Sequence, residues 1–136
     1  MSDYTLPTKK DFQVLVDFLS IFSNPGFDPV LIQPEIEDTL QNNLEKKSVL
    51  YKTEVIDFFS LVSQEIWVDH NYIPESAQEF LENSEKVKTA SFEEIRSLLT
   101  YCQRGERFCE GHWGVMIKTG KIYQILVRLS QIAKIL

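Results

Sequence analysis

Cysteine, glycine and proline are all scarce in this 136-residue chain, at two, five and five. Two cysteines cannot make a disulfide framework, so Cys102 and Cys109 are expected as thiols in a reducing compartment. So few turn formers argue against a loop-rich all-β design. No apolar run approaches the roughly 20 residues that span a bilayer. The first residues, MSDYTLPTKKDF, lack the basic start, apolar middle and small-residue cleavage site of an export signal. The chain is therefore expected to work in the cytoplasm, without a membrane.

What is present fits one soluble globular domain: 43% hydrophobic, 12% aromatic and 25% charged residues. The net charge of −6 hides an asymmetry. Residues 1–94 carry seven Lys and Arg against eighteen Asp and Glu, whereas residues 95–136 carry seven against two. The acidic part disfavours nucleic-acid binding by the whole molecule, since phosphates would be repelled. The basic end can dock onto the acidic part of the same chain, bind an anion, or pair with the acidic half of a second copy in a homodimer. Docking within one chain needs no further ligand and is the simplest of the three.

Apolar periodicity predicts helices along most of the chain. Thr8 is placed to cap a first helix with Asp11 in its first turn, and Phe12, Leu15, Val16, Leu19 and Phe22 give it one apolar face. Asn24-Pro25-Gly26 ends it. Pro34 can start a short helix that closes at Asn42-Asn43, and Val49-Leu50-Tyr51 reads as a short extended piece. Thr53 is placed to cap a helix carrying Val55, Phe58, Phe59, Val62 and Ile66. Ile56 and Leu61 widen that stripe, which predicts a central helix contacted from several sides. Ser76 and Glu79 have capping-box spacing for a short helix, with ENSEKVKTA as a linker turn behind it. Ser91 and Glu94 form a second such box. The helix behind it carries Phe92, Ile95, Leu98, Leu99 and Cys102 and ends near Arg104, with Gly105 as its C′ residue. Cys109, His112, Trp113, Met116 and Ile117 share one face of a further helix that Gly120 stops. A last helix carries Ile122, Ile125, Leu126, Leu129 and Ile132. The expected fold is all-α: a single compact domain over 1–136, of six or seven short helices, with room for one short extended pair. Residues 1–7 read as a frayed lead-in and 105–111 as a link between helices.

The densest mixture of reactive, charged and aromatic residues is Tyr101–Gly114, YCQRGERFCEGHWG. It sits within LLTYCQRGERFCEGHWGVMIKTGKIYQILVRL, which resembles a family of small uncharacterised bacterial proteins of unknown function. The pattern is a Leu-Leu-Thr, an Arg, then Arg-Phe-Cys-(Asp/Glu)-Gly, a Gly-(Lys/His)-Ile and a closing Leu-x-Arg-Leu, occupied here by Leu98, Leu99, Thr100, Arg104, Arg107–Gly111, Gly120, Ile122, Leu126, Arg128 and Leu129. Weaker likeness runs upstream through DFFSLVSQEIWVDHNYIPES. Where members of that family often carry a tryptophan in an acidic stretch, this chain reads ESAQEFLEN. The resemblance implies a bacterial origin and a single domain, and it supplies no chemistry.

Three chemistries can be read into the motif. Arg104 and Arg107, with backbone N–H groups at Gly111–Trp113 and with Glu110 and His112 alongside, have the composition of an anion or nucleotide site. Cys102, Cys109 and His112, with His70 as a fourth ligand, could hold zinc, although the spacing is not a recognised zinc pattern. Cys109 and His112 could pair as thiolate and imidazolium, but no third group orients them. The plainer reading is structural. Arg107 pairs with Glu106, Glu110, Asp57 or Asp69, the cysteines and aromatic residues face the core, and the stretch is a joint locking the last helices together. On that reading no cofactor is expected, and the chain is a non-enzymatic module with an unidentified protein partner.

Overall fold

Thr8 opens the first helix as the sequence predicts. Its hydroxyl accepts from the Asp11 backbone N–H and the Asp11 carboxylate accepts from the Thr8 N–H, a complete capping box. The computed structural model describes residues 7–30 and 50–135. The helix expected from Pro34 and the start of the extended piece at Val49 lie outside the described residues. The architecture is all-α and forms a single compact domain. Its helices are α1 (Lys9–Val16), α2 (Leu19–Phe22), α3 (Thr53–Val62), α4 (Pro74–Leu81), α5 (Ser84–Lys88), α6 (Phe92–Arg104), α7 (His112–Lys118) and α8 (Lys121–Lys134). One antiparallel bridge between Val30 and Tyr51 is the only extended pairing among the described residues.

Several local expectations shift. The first helix breaks at Asp17–Phe18, so its apolar stripe is divided between α1 and α2. Pro7, expected in the frayed lead-in, is buried. Lys52, not Thr53, is the N-cap of α3. Pro74 at N1 starts α4 two residues before Ser76, because its fixed φ and missing N–H suit the first helical position. ENSEKVKTA is not a plain turn: the Asn83 side chain accepts from the Glu85 and Lys86 N–H groups and caps α5. The Ser91–Glu94 box at the head of α6 is complete.

The centre also moves. α3 does bury Val55, Phe58, Phe59 and Val62, but Ile56 is half exposed. The element that the others gather around is α8, which packs against α1, α2, α5, α6 and α7. Its Ile122, Ile125, Leu126 and Leu129 are fully buried. Burying each such side chain contributes about 1.5–3 kcal/mol, so this stripe supplies a large part of the apolar support of the domain. Arg128, in the Leu-x-Arg-Leu segment, donates from Nε to the Ala90 carbonyl at 2.8 Å and ties α8 to the turn ahead of α6.

α6 carries two further anchors that periodicity does not reveal. Arg96 is 7% exposed, and its Nη2 donates to the Val68 carbonyl at 2.8 Å. Thr100 accepts from the Asp69 N–H at 2.9 Å, and Ser97 donates to the Asp69 carboxylate. The 68–71 loop is thereby fixed to α6.

Candidate functional site

Between α6 and α7 the chain makes a 3₁₀ turn, Gly105–Arg107, before Gly111 adopts a left-handed φ of 96° as the N-cap of α7. The left-handed conformation suits glycine because a Cβ there would crowd the backbone. Gly105 is not the left-handed C′ residue expected from the sequence, since its φ is −59°. It is needed for another reason: a Cβ at Gly105 would overlap the His112 imidazole.

Glu106 organises this segment. Its Oε1 accepts from the Trp113 N–H at 2.9 Å and its Oε2 from the Gly111 N–H at 3.0 Å. The Tyr51 hydroxyl donates to the same carboxylate, at 3.0 Å from Oε1. Tyr51 Oη also lies 3.4 Å from the Gly114 N–H, and the His112 N–H donates to the Cys109 carbonyl. The positive end of α7 thus receives a carboxylate supplied by the preceding turn, the arrangement an external anion would otherwise occupy. Burial, followed by the nearby Glu106 charge, raises the Tyr51 hydroxyl pKa, which keeps it a neutral donor.

Trp113 closes the joint. Its ring stacks on Phe59 with centroids 4.5 Å apart and planes 6° apart, its other neighbour is the Tyr51 ring, and its Nε1–H donates to the Gln103 carbonyl at 2.9 Å. Elements α3, α6 and α7 and the Tyr51 segment therefore meet on one indole.

Two of the predicted site residues, Arg104 and His112, rest against aromatic rings. Arg104 lays its guanidinium over the Tyr72 ring, 5.5 Å from the centroid. Arg107 is exposed, and among the described residues it makes no ion pair. The partners expected for it are otherwise placed: Glu106 serves the head of α7, Asp69 is held by Ser97 and the Asn71 N–H, and Asp57 is exposed. Glu110 is exposed. His112 stands edge-on to Tyr101 at 5.3 Å. Four surface grooves, of about 460, 710, 210 and 320 Å³, are lined by other residues.

The zinc set does not assemble. Cys102 is fully buried in the core, where burial raises its pKa, while Cys109 is exposed. The expectation that Cys109 faces inward is corrected: it lies before Gly111, outside α7, so the helical spacing to His112 does not apply. His70 is exposed and contacts Glu65 at 2.6 Å. Among the described residues no group of three or more His, Cys, Asp or Glu could hold a metal ion. Phe108, expected in the core, is 81% exposed.

His112 makes one measurable contribution. Burial lowers its pKa, opposed by Glu106, and Nε2 is buried without a hydrogen-bond partner. The folded state therefore prefers the neutral ring, so stability is fully present above the unfolded pKa of about 6.5 and falls as pH drops below it. Melting temperatures measured between about pH 7.5 and 5.5 should fall in the wild type and flatten in His112→Phe, which keeps a ring over Gly105 without a proton to gain. An unchanged slope in the variant would assign the loss to other groups.

Among the described residues no cluster could hold a metal ion, and no helix is long and apolar enough to cross a membrane. The chain belongs to the family described as Family of unknown function (DUF6508), whose model matches residues 7–134. No curated protein and no solved structure matches it.

Proposed function

We propose that this chain is a non-enzymatic, cytoplasmic helical module that acts through protein–protein contacts, in a regulatory role. The observation that supports this reading best is the occupation of the α7 N-terminus by Glu106, because it uses the backbone donors an anion or nucleotide would need. The contacts of Arg104 with Tyr72, and of His112 with Tyr101 and Gly105, also support it, since each is an interaction made within the chain. The competing reading is an anion-binding, nucleotide-binding or hydrolytic domain using Arg104, Arg107, Glu110 and His112.

A thermal-shift screen with nucleotides, sugar phosphates and Zn²⁺ separates the two. A ligand at about 100 times its Kd stabilises by about 2.7 kcal/mol, a rise on the order of 10 °C for a domain of this size. The module reading expects no such rise with any of them. A rise of several degrees with one anion, lost in a folded Arg104→Ala variant, would establish the competing reading instead.

A further inference from the structure

A groove of about 710 Å³ runs between α1 and α8, away from the 104–113 joint. Val16 and Ala133, both partly buried, form its apolar part; Gln13 and Ser130 lie beside them, and Lys9, Lys10 and Lys134 stand at its rim. Among the described residues none of these three lysines makes an ion pair. Lys9 and Lys10 occupy the first turn of α1, where the helix dipole disfavours cations. Lys134, from the far end of the chain, brings a third like charge to the same groove. Two carboxylates stand nearby, Asp11 on α1 and Asp17 at its C-cap. Asp11 is committed to the Thr8 capping box, and Asp17 accepts from the Gln13 amide at 2.7 Å. The charge of the groove is thus opposite to that of the molecule, whose net charge is −6.

We propose that this groove is the docking site for an acidic segment of a partner protein that carries an apolar anchor. The inference rests on the module reading and names the chemistry of its partner. An acidic segment satisfies both halves of the groove, with carboxylates on the lysines and one apolar side chain against Val16 and Ala133. A small anion would use the lysines and leave the apolar part uncovered. The net negative charge of the molecule disfavours contact of such a segment with its acidic surfaces, which helps the groove to select where it lands. Binding of this kind weakens with salt, because the rim charges are exposed and screened.

The test is fluorescence anisotropy of the full chain with a labelled peptide of Glu and Leu at helical spacing. Micromolar binding is expected, weakened about tenfold or more by the combined variant Lys9→Gln, Lys10→Gln, Lys134→Gln, and unaffected by Lys118→Gln. Replacing the peptide's Leu by Ser should abolish it. The altered lysines are exposed, so the variants should fold like the wild type, which circular dichroism checks. Binding that ignores the lysine variant overturns the proposal. Full displacement by millimolar inorganic phosphate, tighter lysine-dependent binding to phosphatidylglycerol vesicles, or a dimer in sedimentation that the lysine variant abolishes would each overturn it in favour of a simple anion site, a membrane surface or a second copy. An Arg104-dependent ligand in the thermal-shift screen would sink the module reading without altering this measurement, so the two failures are distinguishable.

Discussion

Glu106→Ala is expected to destabilise the domain by about 3 kcal/mol, since charge-assisted hydrogen bonds to a partly buried carboxylate are each worth about 1.5–3 kcal/mol and do not add fully. The variant leaves the Gly111 and Trp113 N–H groups and the Tyr51 hydroxyl without their acceptor. Glu106→Gln should recover little. Both carboxylate oxygens accept, so an amide NH₂ must face an N–H donor whichever way it is turned. Tyr51→Phe removes one donor and should cost about 1 kcal/mol. Urea unfolding of the two single variants and the double variant gives their coupling directly. If Glu106→Gln unfolds like the wild type, the carboxylate is not the keystone of this segment, and the α7 N-terminus is open to an outside anion.

The second large effect is at Trp113. Trp113→Ala removes the stacked contact with Phe59, the Tyr51 edge and the bond to the Gln103 carbonyl, for an expected loss of about 3–5 kcal/mol. Trp113→Phe preserves most of the stack and loses only the Nε1–H donor, an expected cost of about 1 kcal/mol. A small loss in Trp113→Ala would mean that α3 and α7 hold together without the indole.

Sequence reading succeeded where the cause of structure is local. The Thr8 cap, with Asp11 in the first turn, and the Ser91–Glu94 box involve residues three apart, and both are formed. The helical class and most of the buried faces followed from periodicity. It failed where a distant or competing residue decides. The Ser76–Glu79 spacing was real, but Pro74 had already set the start of α4. The apparent helical stripe from Cys109 to His112 is cut off at Gly111, which opens α7. Identifying α8 as the hub required knowing what packs on it, and a wide stripe on α3 was not a substitute. Glu106 was hardest: its hydroxyl donor, Tyr51, lies 55 residues earlier. One clue was available, since Glu106 is one of two carboxylates in an otherwise basic last third and sits five residues before the glycine that opens α7.

The position of α8 also sets a timetable. α1 packs on α8, yet 104 residues lie between Val16 and Lys121. At a synthesis rate of roughly 5–20 residues per second, α1 waits about 5–20 seconds for its main partner. Throughout that interval Phe12 and Leu15, fully or almost fully covered in the finished domain, have no α8 to cover them. A chain cut short before α8 is therefore expected to leave the apolar face of α1 uncovered and to unfold more readily than the whole domain.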